Sequence, residues 1–86
     1  TKEAEAARQK GLKWLAKAKP RDTEDRTWHL RALVATRADR GRIEEAREGL
    51  LALRLEDGSW PQLPGRGGDA YATATALMAL RAAGMK

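Results

Sequence analysis

Apolar residues recur along most of this chain at the three-to-four-residue spacing of amphipathic helices. Leucine, alanine and tryptophan keep that spacing through four stretches, which are separated by short segments rich in proline, glycine or aspartate. Apolar residues at this period mark the buried face of a helix. The pattern predicts four helices, over residues 3–19, 23–38, 42–55 and 69–83.

The ends of these helices carry recognisable signals. Pro20 stops the first helix, because proline lacks the N–H that a helix interior requires. Asp22 and Asp69 precede the second and fourth helices, where a carboxylate can cap free N–H groups. Glu44 and Glu45 are expected in the first turn of the third helix, where negative charge is favourable. The residues expected to face the core are Ala4, Ala7, Gly11, Trp14, Leu15 and Ala18 in the first helix, Leu30, Leu33 and Val34 in the second, and Ile43, Ala46, Leu50 and Leu53 in the third.

The two halves of the chain share one plan. The segment that begins at Gly11 aligns with the segment that begins at Gly49, an offset of 38 residues. Asp22, Leu30 and Leu33 align with Asp69, Leu77 and Leu80 at an offset of 47 residues, so the second loop is nine residues longer. A period near 40 residues is typical of helical repeat proteins. We expect one all-α module, residues 1–86, of two tandem αα-hairpins, about 3–38 and 42–84, forming a segment of an αα-toroid or solenoid.

The fourth helix is the most demanding element of this plan. Its residues are almost all alanine, threonine and leucine, and its only charges are Asp69 and Arg81. A helix that is apolar or small on every side has no face suited to water and must be covered. A repeat array also needs polar end caps to stay soluble, and none is evident here. We therefore expect either that the chain is cut from a longer repeat protein or that identical copies associate edge to edge.

Composition and charge narrow the classes of protein further. The chain has 86 residues, a formal net charge of +5 and no cysteine, which excludes a disulfide framework and a thiolate metal site. No apolar run reaches the length of about 20 residues that spans a membrane, and no signal-like start is visible, so we expect a cytoplasmic protein without a membrane span. Residues 1–43 carry twelve basic and six acidic groups, whereas residues 44–86 carry five and six. This asymmetry favours head-to-tail contact.

Nucleic acid binding is the rival interpretation of a basic chain. Lys10, Lys13 and Lys17 share one side of the first helix, and Arg37, Arg40 and Arg42 surround a turn. Acidic residues are interleaved near both groups, and no helix-turn-helix, zinc or RNP-like pattern is present. A solvated outer face explains these bases better, and we expect no nucleic acid partner.

The segment GLLALRLEDGSW resembles the QW-type repeat of squalene-hopene cyclases and other terpene-cyclase or prenyltransferase-like proteins. DAYATATALMAL is similar to the inner helix of such repeats, and KPRDTEDRTWHL to the turn of a neighbouring repeat. The positions that carry the resemblance, with structural roles in the repeat, are Gly49, Leu53, Arg54, Gly58, Trp60 and Asp69. Arg54 occupies the position at which the motif has a glutamine, and Lys19 occupies the same position of the motif in the first hairpin. The resemblance implies an αα-toroid of about twelve helices, so three copies of four helices would close one ring.

The same resemblance suggests one candidate for chemistry. Asp22-Thr23-Glu24-Asp25 resembles the acidic DxDD motif with which cyclases of this family protonate an alkene, although Glu24 replaces an aspartate. An acidic helix N-terminus that caps free amides is the simpler interpretation. The chain has three Trp, one Tyr and no Phe, which is few for stabilising a carbocation. We predict no catalytic residue, with Asp22, Glu24 and Asp25 as the only candidates.

The remaining distinctive residues favour structural roles. His29 is the only histidine, so we predict a surface or packing role rather than a metal site. The run Gly65-Arg66-Gly67-Gly68 lacks the lysine of a phosphate-binding loop and is expected to be a flexible connector. Trp14, Trp28 and Tyr71 are expected to pack between helices, and Trp60 to anchor its loop.

These observations together predict a structural repeat module without cofactor or metal, engineered or excised from a longer repeat protein. Its partner is expected to be itself, with a trimer favoured. The alternative is a fragment of a terpene cyclase-like enzyme that uses the acidic cluster Asp22, Glu24 and Asp25 as a proton donor.

Overall fold

The computed structural model describes residues 1–84, which form four α-helices and no strand. The helices are α1 (Lys2–Lys17), α2 (Thr23–Ala35), α3 (Arg40–Leu51) and α4 (Ala70–Ala82). The predicted all-α class and the number of helices are confirmed. The helices end two to four residues earlier than predicted, except α4, which ends one residue earlier. The molecule is elongated, with principal extents of 45 × 25 × 21 Å.

Each helix begins at a side chain that caps its free N–H groups. The Asp22 carboxylate accepts from Asp25 N–H at 2.8 Å, and the Asp69 carboxylate accepts from Ala72 N–H at 2.8 Å. These two predicted caps are confirmed. Thr1 caps α1 in the same way.

The start of α3 differs from the prediction. Asp39 accepts from Arg42 N–H at 3.0 Å and starts the helix at Arg40, two residues earlier than expected. Glu44 and Glu45 therefore lie beyond the first turn, and their predicted dipole role there is wrong. The Asp39 cap determines where α3 begins, because its hydrogen-bonded carboxylate satisfies a free N–H group directly.

Helix α1 stops at Lys17, where Ala18 takes an extended conformation. Lys19 precedes Pro20, and the proline ring disfavours the helical conformation in the residue before it. The helix thus ends before Pro20, as predicted, but three residues earlier than the proline itself.

Helix α2 ends in a Schellman motif that uses an arginine where glycine is usual. Arg37 has a φ of 54°, in the left-handed region. Ala38 N–H donates to Leu33 C=O at 2.9 Å, and Arg37 N–H donates to Val34 C=O at 3.1 Å. Leu33 and Ala38 are both buried in one cluster, which supplies the hydrophobic contact of this motif.

Helix α2 lies at the centre and contacts the other three helices. Leu33 joins Leu15 of α1 in a small cluster at one end of the molecule. Leu30 joins Leu50 and Trp60 in the larger cluster, together with the buried face of α4. The predicted inward positions of α2 and α3 are confirmed, since Leu30, Leu33 and Leu50 are buried and the others pack against these clusters.

The predicted core stripe of α1 is wrong for most of its length. Ala4 and Ala7 are exposed, and the Trp14 side chain is 70% exposed. Leu15 is buried as predicted, and α1 packs on the Leu33 cluster through Leu15 and through Leu12, which was not predicted. The expected packing of Trp28 and Tyr71 is also wrong, because they are 69% and 66% exposed. Amphipathic spacing identifies a face that can be buried, but a neighbouring helix has to be present to bury it.

The left-handed residue predicts a stabilising substitution. Arg37→Gly should raise the free energy of unfolding by about 0.5–1 kcal/mol, because glycine adopts positive φ without the Cβ clash. Arg31→Gly, within α2, is the matched control and should lower it by about 1 kcal/mol. Urea unfolding followed by circular dichroism measures both, and a loss of stability in Arg37→Gly would contradict the assignment of this cap.

Candidate functional site

Trp60 is the anchor of the loop that joins α3 to α4. Its side chain is fully buried, and its indole Nε1–H donates to Leu50 C=O at 2.8 Å. Its backbone N–H donates to Thr73 Oγ1 at 2.9 Å, and its C=O accepts from Asp69 N–H at 2.9 Å. One residue therefore ties the end of α3 to the first turn of α4. The predicted anchoring role of Trp60 is confirmed.

The turn before Trp60 is built around Gly58. Gly58 has a φ of 88°, as expected for the glycine of an Asp-Gly turn, and its N–H donates to Leu55 C=O at 2.9 Å. The Asp57 carboxylate accepts from the Ser59 hydroxyl at 2.5 Å and from Ser59 N–H at 3.0 Å. These bonds hold the pKa of Asp57 below its ordinary value of 3.8, with the Ser59 hydroxyl as the main cause.

Gly68 is more constrained than a flexible connector. It pairs with Pro61 in an isolated antiparallel bridge, and a Cβ at this position would lie 2.8 Å from the Ser59 Cβ. Only glycine allows the two sides of the loop to approach so closely. The predicted connector role is therefore wrong for Gly68, which closes the base of the loop.

The other motif positions lie around this anchor. Leu53 packs against the cluster that contains Trp60, whereas Arg54 is exposed at the end of α3. Gly49 faces α2, where the guanidinium Nη1 of Arg26 lies 2.5 Å from the position that a Cβ would take. The absence of a side chain at Gly49 lets Arg26 cross α3 at this point.

The acidic cluster at the start of α2 is engaged in local structure. Asp22 is the helix cap, and Asp25 accepts from Arg21 N–H at 3.3 Å, with the Arg21 guanidinium 4.0 Å away. Glu24 is exposed beside them. The hydrogen bonds of Asp22 and Asp25 thus serve the N-terminus of α2, as the simpler interpretation expects.

His29 ties α2 to the end of α1. Its Nε2 lies 3.0 Å from Leu15 C=O, so this nitrogen carries the proton and donates. The same carbonyl also accepts from Ala18 N–H at 3.3 Å, at the C-terminus of α1. His29 is half-buried, in agreement with the predicted surface or packing role.

An apolar groove of about 680 Å³, termed the α1–α2 groove, opens between these two helices. Gly11, Trp14 and Ala18 line it from α1. The α2 residues that line it are Glu24, Asp25, Trp28, His29, Ala32 and Thr36. Two large exposed indoles thus border a cleft that small residues, Gly11, Ala18 and Ala32, also line.

A second open surface lies on α4. Four residues of this helix, termed the α4 outer face, are all exposed: Ala70, Ala74, Leu77 and Arg81. Leu77 is 53% exposed and the adjacent Met78 57% exposed. Leu77 and Arg81 also line a cleft of about 750 Å³ with Leu51 and Arg54 of the α3 end. Helix α4 is therefore covered on one side and bare on the other.

Two residues whose side chains hold the loop and the helices in place were not predicted from the sequence. Thr73 holds the Trp60 backbone, and Arg8 donates to Thr36 C=O at 2.6 Å and to Arg37 C=O at 3.0 Å. Arg8 is separated from its two acceptors by 28 and 29 residues in the sequence, so no local sequence spacing indicates these contacts. Thr73 lies four residues after the Asp69 cap, and only its position beside the loop gives it this role.

In comparison with known proteins, no family model, curated protein or solved structure matches this chain. No helix within residues 1–84 combines the length and apolar character needed to cross a bilayer. Over the same residues, no three His, Asp or Glu side chains are grouped as a metal ion would require. Two exposed apolar surfaces of residues 1–84 are the α1–α2 groove and the α4 outer face.

Replacement of the anchor should weaken the fold. Trp60→Phe removes the Nε1–H bond and part of the ring volume from a fully buried site, and should lower the free energy of unfolding by about 1–3 kcal/mol. Trp14→Phe, at an exposed position, is the matched control and should change it by less than about 0.5 kcal/mol. Denaturant unfolding in dilute solution measures both, and equal effects would contradict the anchoring role.

The Asp57 turn predicts a pH dependence. Because the folded-state pKa is lowered, the stabilisation from Asp57 is complete above its ordinary value of 3.8 and is lost as the pH falls through the folded-state pKa. Carboxyl NMR should give a titration midpoint below that of the urea-unfolded chain. Ser59→Ala should raise the midpoint, since it removes the main cause, and an unchanged midpoint would refute this assignment.

Proposed function

We propose that this chain is a structural repeat module whose copies associate edge to edge, without catalysis. The observation that carries the proposal is the bare side of α4. Leu77 and Met78 are each more than half exposed on a helix whose only charge is Arg81. Burying one such side chain is worth roughly 1.5–3 kcal/mol, so two of them at one contact supply a substantial driving force for association.

The exposed aromatic residues support the same conclusion. Trp14 and Trp28 are exposed and border the α1–α2 groove, which shares no lining residue with the α4 outer face. Large apolar groups gathered at a surface mark interaction sites more often than scattered single residues do. Each chain thus offers two apolar edges, which is what a repeating assembly requires.

A closed ring is the assembly that we favour. The resemblance to QW-type repeats implies a toroid of about twelve helices, which three copies of a four-helix chain would complete. The long Trp60 loop between α3 and α4 agrees with that resemblance, since Gly58 and Trp60 occupy the turn and anchor positions of the motif.

The alternative, a fragment of a terpene cyclase-like enzyme, is less well supported. Glu24 and Asp25 do line the α1–α2 groove beside Trp28, which is the arrangement that this alternative needs. Asp22, however, serves as the helix cap, and Asp25 faces Arg21. The geometry favours carboxylates that stabilise a helix over a carboxylic acid that donates a proton.

Particle mass tests the proposal. Light scattering coupled to size exclusion should give a particle of several chains, with three expected, and Leu77→Lys should reduce it to a single chain, because a charge cannot be buried without a partner. Leu63→Lys, at an exposed leucine in the loop, is the matched control and should leave the mass unchanged. A wild-type chain that stays single up to its solubility limit would refute the proposal.

A further inference from the structure

Within the chain, α2 packs on α4. The α1–α2 groove and the α4 outer face are equivalent, by sequence offset, to the two surfaces that meet in that contact. We propose that the groove of one copy receives α4 of a second copy, in the same register in which α2 packs on α4 inside one molecule. This inference rests on the proposed self-assembly and specifies its contact.

The structure supports an offset of 47 residues between α2 and α4. Both helices have 13 residues, and they begin at Thr23 and Ala70. Both are capped by an aspartate, Asp22 or Asp69, whose carboxylate accepts from the N–H three residues later. The two helices can therefore be compared position by position.

The groove side of the contact follows from the buried face of α4. Four alanines of α4 belong to the core cluster that also contains Leu30 of α2: Ala72, Ala76, Ala79 and Ala83. The residues 47 positions earlier are Asp25, His29, Ala32 and Thr36, and all four line the α1–α2 groove. Within the chain, α2 packs against this alanine surface of α4. The equivalent surface on α2 lines the groove.

The other side of the contact follows from the buried face of α2. Three α2 residues on this face are at most 5% exposed: Thr23, Thr27 and Leu30. Their counterparts 47 positions later are Ala70, Ala74 and Leu77, and all three are exposed. These three positions are therefore buried on α2 and exposed on α4, with leucine at the same position in both helices. The fourth buried residue of α2, Leu33, corresponds to Leu80, which is buried.

The same offset places specific residues together. Within the chain, Leu30 lies in one cluster with Ala76 and Ala79. The equivalent contact between copies puts Leu77 of one molecule beside His29 and Ala32 of the next. A groove of about 680 Å³ that Ala32 helps to line has room for a leucine side chain.

Charge favours a head-to-tail contact over a symmetric one. Two of the residues that line the groove, Glu24 and Asp25, are acidic, and one, Lys19, is basic. The α4 outer face carries Arg81 as its only charge. Joining the groove to α4 brings this arginine towards a weakly acidic lining, whereas a two-fold contact between two α4 outer faces would bring two arginines together, which like-charge repulsion opposes.

Complementation between two blocked variants tests this contact. Leu77→Lys blocks the α4 outer face, and Gly11→Arg fills the groove. A Cβ at Gly11 would have Thr36 Cγ2 at 3.8 Å as its nearest neighbour, an ordinary contact, so α1 accepts a side chain there. Each variant alone should have the mass of one chain. An equal mixture should form a particle of two chains, because one intact groove and one intact α4 face remain.

The possible results distinguish an error in the proposed register from a failure of self-assembly. If the wild type assembles but Gly11→Arg alone still assembles equally well, or the mixture stays at one chain mass, the proposed contact is wrong while self-assembly stands. If the wild type never assembles, both proposals fail. Circular dichroism establishes that each variant is folded.

Disulfide trapping provides a second measurement that needs no blocked variant. The chain has no cysteine, so Ala32→Cys and Leu77→Cys can be introduced one at a time and mixed. The expected product is a disulfide between position 32 of one copy and position 77 of another. A predominant 77-to-77 disulfide would show a symmetric contact and would overturn the proposal.

Discussion

Close packing of α2 against a row of alanines on α4 is the constraint on which the rest of the structure depends. Ala72, Ala76 and Ala79 are at most 4% exposed, and their small side chains let Leu30 of α2 fill the space between the helices. Helix α2 also supplies Leu33 to the cluster with α1. Because one helix serves both clusters, displacement of α2 from α4 would disturb the packing of the whole chain, which is short and has little other core to compensate.

The Trp60 loop fixes where α4 can lie. Loops longer than about 12–15 residues without secondary structure are uncommon in compact domains, unless their own side chains hold them. Residues 52–69 form such a loop, and Trp60 holds it through its indole, its N–H and its C=O. Gly68 closes the base by approaching Ser59. The loop thus acts as a spacer of defined geometry between the ends of α3 and α4.

Much of this arrangement could be predicted from local sequence. The apolar periodicity predicted the four helices, and Asp22 and Asp69 were predicted as two of the caps. The Asp57-Gly58 pair with Trp60 predicted the anchored turn. Exposure of Trp14, Trp28 and Tyr71 could not be predicted in this way, because a helix face is buried only where another element covers it. The contacts of Arg8 with the α2 end join residues far apart in sequence, so they depend on the final positions of the helices. The two open edges likewise become visible only when the packing within the chain shows which faces are used.

The tip of the Trp60 loop, residues 62–67, is exposed throughout, whereas its base is held by the bond from Asp69 N–H to Trp60 C=O. Lengthening a loop adds little entropic cost when its ends are already fixed, and exposed tips of this kind accept inserted sequence. The tip around Pro64 and Gly65 is therefore a natural position for displaying a foreign peptide. In a multi-copy particle, every chain would present that peptide at the same place.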